Sequence, residues 1–255
     1  MESAHEYHAW RAALDWQIEL GADEALSETP IDRFELVDMP KAKAPKAAEI
    51  EATPEPIELP KVDVVAAAKA AAAGAGSLDE LQAALAAFEH CELKRGARNL
   101  VFAGGVAQAR VMIIGNAPGR DEDREGKPFV GAQGKLLDKM LAAIGLSRDE
   151  SVYLTNVLPW RPPQNREPRP EDIAMMRPFV QRHVELAEPE LVILMGNISC
   201  EAVLMKRGIT RLRGTWAEAF GKPAMPMFDP EQLMRQPQLK REAWADLLEI
   251  KARLT

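Results

Sequence analysis

The stretch GNAPG, residues 115–119, follows the apolar run RVMIIG (110–115) and precedes RDEDREGKPFVG. A glycine-framed turn at the end of a short apolar strand is a common place for chemistry, because ligands of open α/β sheets gather at the carboxyl ends of the strands. This turn holds an amide, Asn116, where an acid or a base would be expected. An amide orients a water but does not accept its proton near neutral pH. Two other stretches carry arginines: RPPQNREPR holds Arg161, Arg166 and Arg169 among rigid prolines, and ITRLRG holds Arg211 and Arg213. Such loops suit phosphate contact, which positions a nucleic acid without reading it. The plainer reading is a solvated charged loop. GAQGK (131–135) has a superficial likeness to a nucleotide-binding loop, but it lacks the four-residue gap between glycines and the Ser or Thr after Lys135.

The elements that must position these residues are legible from residue 77 onward. SLDE opens a helix, with Ser77 as cap and Glu80 three residues later. Short apolar runs follow at NLVFAG (99–104), RVMIIG (110–115), VYLTNV (152–157) and LVILMG (191–196), with AMPMFD (224–229) as one more candidate strand. Helical stretches lie between them, and LKREAWADLLEIKARL forms a C-terminal helix. Strands alternating with helices predict an α/β fold, a central and mainly parallel four-stranded sheet with helices on both faces. GNAPG, TNVLPWRPPQNR and MFDPEQL would then emerge from one edge of that sheet.

The region before residue 77 reads differently. Residues 5–20 predict a helix on which Trp10, Leu14 and Ile18 recur every four residues, with Gly21 as its stop. Residues 23–76 are rich in Pro, Ala and charge, with few large apolar groups, and predict a disordered linker holding at most a short helix at VDVVAAAKAAAAGAG. The expected organisation is therefore a helix in 1–22, a linker in 23–76 and one compact domain in 77–255. An apolar stripe ahead of a long linker suits helix-in-groove binding of a protein partner. Docking of the same stripe on the chain's own domain is the alternative.

Composition narrows the function classes. The chain has 255 residues, 47% of them hydrophobic, enough for a sizeable core. Its longest apolar runs are far too short to span a bilayer, and MESAHEYHAW lacks the basic and apolar regions of a signal peptide. Cys91 and Cys200 are the only cysteines, which suggests reduced thiols and a cytoplasmic protein. The net charge of −7 is uneven. Residues 1–76 hold 15 acidic and 7 basic side chains, leaving 24 acidic and 25 basic in residues 77–255. That near-neutral balance with clustered arginines permits nucleic-acid binding through a local patch.

Several stretches together resemble the family 4 uracil-DNA glycosylases: GNAPGRDEDREGKPFVGAQGKLLDKMLAAIGL, VYLTNVLPWRPPQNREPRPEDIAMMRPF, ITRLRGTW and LMRQPQLKREAWADL, in the family's order and spacing. The resemblance covers residues 85–255, roughly two-thirds of the chain. It implies a three-layer α/β/α fold, DNA as partner (single- or double-stranded), and a pocket that receives a flipped base at a cost of a few kcal/mol. Phe129 matches the family's stacking aromatic and Asn156 the residue that reads the uracil edge. An amide can donate to O4 and accept from N3–H at once, a pattern that cytosine reverses. Backbone N–H groups of the turn that holds Gly115 and Ala117 would face the base carbonyl, with Gly115 and Gly119 permitting close approach.

The sequence also departs from that family. Asn116 stands where the family has Glu, and Asp229 where it has His. Losing positioned proton transfer costs roughly 10²- to 10⁴-fold, and losing a donor to a developing anion about 10²- to 10³-fold. Asp229 could instead activate water, exchanging roles with position 116. Two functions follow from the resemblance: a DNA-repair glycosylase of weak or altered activity, or an inactive homologue that binds DNA or acts as an adaptor. Of the four cysteine positions that hold the family's iron–sulfur cluster, Cys91 alone is retained; Phe88, Trp160 and Met176 occupy the others. The expected cofactor is therefore none, since such clusters need thiolates.

Overall fold

The computed structural model describes residues 4–19 and 63–255. It divides into two compact units, Met1–Glu58 and Leu59–Thr255. In the first, α1 (Ala4–Glu19) is helical, with Trp10, Leu14 and Trp16 exposed. The Ile18 side chain, the stop at Gly21 and residues 23–62 of the expected linker lie outside the described residues.

The second unit begins earlier than Ser77. Residues 64–73 form α2 (Val64–Ala73), capped by Asp63, whose carboxylate accepts from the Val65 and Ala66 amides. Ala68 and Ala72 are buried on its inner side, where α2 packs against α6 (Pro170–Ala187). Arg182 of α6 donates to the Ala75 carbonyl at 2.8–2.9 Å and fixes the end of α2. Alanines bury little area each, but they let two helix backbones approach closely. For that reason the stretch reads as linker by composition and packs as core. α3 (Leu78–Ala87) follows, with Ser77 Oγ accepting from the Glu80 amide as the capping pattern predicts.

The sheet contains β1 (Ala103–Gly105), β2 (Val111–Gly115), β3 (Val152–Asn156), β4 (Leu191–Met195), β5 (Ala217–Ala219) and β6 (Lys222–Met227). Their order is β1-β3-β2-β4-β6-β5. The four expected strands become six. β3, β2, β4 and β6 are parallel, and each edge carries a three-residue antiparallel strand too short to show a period. The strand expected at 99–104 shrinks to β1, because the Val101 amide leaves the ladder to donate to the Pro159 carbonyl. β2, β3 and β4 are buried at every residue, which is why β2 and β4 read as unbroken apolar runs and β3 as one that ends in Thr155 and Asn156.

Helices cover both faces. α2, α3 and α7 (Asn197–Leu204) pack with α6 as one layer. α5 (Gly131–Ala143), α9 (Pro230–Arg235) and α10 (Lys240–Leu254) form the other. Right-handed crossovers require this, since the chain runs from β2 outward to β3 and then back across to β4. The reversal leaves a crevice between β2 and β4 at their carboxyl ends. α4 (Arg120–Glu125) follows GNAPG, and α8 (Ile209–Leu212) lies between α7 and β5. No helix among the described residues is long and apolar enough to cross a membrane.

Candidate active site

Asn116 stands at that crevice, one residue past β2. Its Oδ1 accepts from the amides of Ile198 (3.0 Å) and Ser199 (3.2 Å), the second and third residues of α7. The N-cap position of α7 is Gly196, which has no side chain to offer, so Asn116 supplies the cap from across the sheet. A Cβ at Gly196 would overlap the Asn116 amide. Asn116, Ala117 and Pro118 line a cleft of about 570 Å³ whose far wall includes Arg166, Pro168 and Met234.

Gly115, Phe129 and Asn156 come together behind this turn. Gly115 and Asn156 are register partners at the ends of β2 and β3. A Cβ on Gly115 would overlap both the Asn156 Oδ1 and the Phe129 ring, so only glycine lets the two approach. Asn156 is 6% exposed, and its Nδ2 is buried without a hydrogen-bond partner among the described residues. A buried donor left unmade costs about 1–3 kcal/mol. An adjoining cavity, also lined by Thr155 and His183, is about 10 Å³ and too small for a base. Within the turn, Pro118 has no N–H and the Gly119 N–H is taken by Glu122. That leaves the Asn116 and Ala117 amides for a ligand, fewer than the whole turn expected from the sequence.

Sequence reasoning missed Glu122. This side chain is 2% exposed, accepts from the Gly119 amide at 2.6 Å and from the Phe129 amide, and so links the turn to the loop that carries the aromatic. Burial pushes its carboxyl above the ordinary range, against the two amides that hold the charged form. The signal was a Glu three residues after Gly119, half of a capping box.

Asp229 caps α9, its carboxylate accepting from the Gln232 amide at 2.8 Å. Burial pushes its carboxyl above the usual range. Glu231, Met234 and Arg235 of α9 reach the cleft, whereas Asp229 is not among its lining residues. Of the pair expected to share one cavity, Asn116 alone lines this one.

The arginines sort by what already holds them. Arg166 lines the cleft and reaches Asp172 at 3.4 Å. Arg169 pairs with Glu92 (2.6 Å) and Asp172 (3.6 Å). The Arg161 Nε donates to Asn165 Oδ1 at 2.7 Å. Arg211 is exposed and lines a separate cleft with Arg177, Lys206 and Trp216. Arg213, expected to contact DNA, is already engaged within the protein. Its Nε donates to Asp246 Oδ2 at 2.9 Å, its Nη2 to the Glu242 carbonyl at 2.8 Å and to the other Asp246 oxygen, and it lies over the Phe228 ring. A guanidinium so occupied fastens the segment after α8 to α10 and has little left for phosphate. Arg120 was overlooked: it is exposed, lines the main cleft, and its guanidinium has no ion pair or hydrogen bond among the described residues.

Phe88, Cys91, Trp160 and Met176 are all buried in the core. Phe88 packs edge-on against Phe179 with ring centroids 5.3 Å apart. Burial pushes the Cys91 thiol up, away from the thiolate that a metal needs. Cys200, on α7, is pushed up to about 12 by burial.

The cleft thus lies at the switch point of a parallel sheet, and Gly115, Phe129 and Asn156 meet behind the turn that lines it. A model of the uracil DNA glycosylase superfamily matches residues 102–248, and the chain belongs to that superfamily. It is 37% identical over 183 residues to the type-4 uracil-DNA glycosylase of Archaeoglobus fulgidus, covering 68% of this chain and 92% of that protein. It is 33% identical over 185 residues to the type-4 enzyme of Sulfurisphaera tokodaii, covering 69% and 84%. Against the type-4 enzyme of Thermotoga maritima it is 35% identical over 148 residues, covering 57% and 77%.

Proposed function

We propose that the chain is a DNA-repair protein that binds single- or double-stranded DNA, takes a flipped uracil against Phe129 and Asn156 beside the GNAPG turn, and excises it weakly or with altered specificity. The observation that carries this reading is the Asn156 amide, buried beside the Phe129 ring with a donor that nothing among the described residues satisfies. Uracil O4 is an acceptor of the right kind, and a fixed amide discriminates against cytosine. Arg120 and Arg211, whose side chains have no partner among the described residues, and the partly committed Arg161, Arg166 and Arg169 supply charge for the phosphates. The test is a glycosylase assay on single-stranded and duplex oligonucleotides with one uracil, alongside binding to the same strands. The absence of both excision and uracil-dependent binding would refute it.

A second reading, an inactive DNA-binding or adaptor homologue, is favoured by the engagement of Asn116 and Asp229 as caps of α7 and α9. Caps hold backbone, and neither side chain is then free to move a proton. The donor set at 88, 91, 160 and 176 does not fit an iron–sulfur cluster, because it offers one protonated thiol among three apolar side chains. We therefore assign no cofactor; purified protein will be colourless and without stoichiometric iron. The two free, buried cysteines support a cytoplasmic location. The exposed Trp10, Leu14 and Trp16 support a protein partner for residues 5–20.

A further inference from the structure

We propose that Glu122 is the positioning residue of the base pocket: one buried carboxylate joins the GNAPG turn and the Phe129 loop into a single rigid shelf. The proposal rests on the base-binding reading above and names the group that shapes the site. Phe129 has φ +52°, the left-handed region that a bulky aromatic seldom occupies. Such a backbone persists only where its surroundings over-determine it. Both of its peptide groups are held. The N–H donates to Glu122 Oε1, and the carbonyl accepts from Arg148 Nη2 at 2.9 Å. Arg148 is fixed in turn by Asp138 at 2.7 Å. Gly134 leaves no room for the loop to relax, since a Cβ there would overlap the Phe129 carbonyl.

The other oxygen of Glu122 holds the Gly119 amide, so the wall and the turn facing it move together. No cation pairs with Glu122 among the described residues, and it is 2% exposed. A buried acid without a counter-ion is a costly choice for mere packing. It is intelligible where two separate loops present N–H groups that must be held at a fixed spacing. A neutral amide of the same shape cannot do this, because one of its two terminal atoms is a donor facing a donor.

Glu122→Gln is therefore the test, in the full-length chain. Two quantities are read: amide hydrogen exchange at Gly119 and Phe129 by NMR, and the ratio of affinities for single-stranded oligonucleotides with one uracil or with thymine in its place. The loss of one buried hydrogen bond predicts about tenfold faster exchange at one or both amides, and a fall in the uracil preference of about fivefold to tenfold. Thymine-strand affinity should stay at the wild-type value, which a general loss of structure would not allow. Arg148→Gln, which frees the Phe129 carbonyl from nearer the surface, should shift both readouts in the same direction. Wild-type exchange, or a wild-type preference, in Glu122→Gln overturns the proposal. A wild-type protein with no uracil preference refutes base binding itself and the role for Glu122 with it. That outcome is distinguishable, because it is seen before any substitution is made.

Discussion

Asn116, one residue past β2, accepts a 3.0 Å hydrogen bond from the backbone amide of Ile198 at the head of α7. The residue that stands where the family carries an acid is thus bound to the positive end of a helix. A carboxylate would be welcome there too, since helix N-termini favour negative charge. Asn116→Ala, by contrast, should lower stability by about 1 kcal/mol, the usual cost of a lost cap. A denaturant midpoint unchanged from wild type would show that α7 does not depend on it.

Restoring both family residues, Asn116→Glu with Asp229→His, should raise uracil excision by about 10²-fold or more over the parent. The double change should exceed either single one, because both act on one transition state and need not add. It should also lower the melting temperature, since an imidazole at position 229 no longer caps α9 as the Asp229 carboxylate does. If the parent is active and Asp229→Asn abolishes activity, Asp229 is the working base and the family's roles are exchanged.

Arg120 and Arg213 should separate binding from stability. Arg120→Ala should leave the fold intact and reduce the slope of log affinity against log salt by about one phosphate contact. Arg213→Ala leaves the 1%-exposed Asp246 without its partner and should cost about 3 kcal/mol or more. Its salt slope should not change. Equal slopes for Arg120→Ala and wild type would remove Arg120 from the DNA path.

His183 is buried beside Tyr153, its Nε2 2.7 Å from the hydroxyl and its ring stacked on Phe102. Burial lowers its pKa to about 3. The unfolded chain therefore binds a proton near pH 6.5 that the folded one refuses, and stability falls as pH drops below that value. By pH 5 the loss should be about 2 kcal/mol. Urea midpoints at pH 7 and 5 will show it, and His183→Gln should flatten that part of the dependence. The same slope in both proteins would place the titration elsewhere.

Ala68, fully buried between α2 and α6, tests where the domain starts. Ala68→Leu should destabilise by about 1–3 kcal/mol through overpacking. A silent substitution would restore the view that this stretch is linker.

The largely apolar runs at β2, β3 and β4 were determined locally, because strands buried on both faces need no alternation. They fixed the α/β class, the parallel sheet and the edge on which GNAPG and TNV emerge. The motif residues Phe129 and Asn156 were legible through their resemblance to a family, and the glycine at 115 through its place in the turn. The tertiary structure alone decided what each polar group is spent on. Asn116 caps a helix 82 residues away and Arg213 meets Asp246 33 residues on, pairings that no local spacing encodes. α2 was legible as a short helix but not as part of the core, because alanines signal burial only when a partner helix comes close enough to use their smallness. Glu122 escaped because an acid in a charged run looks solvated. Only the fold of the Phe129 loop over α4 seals it from water, and only that enclosure turns an ordinary glutamate into a fastening between two loops.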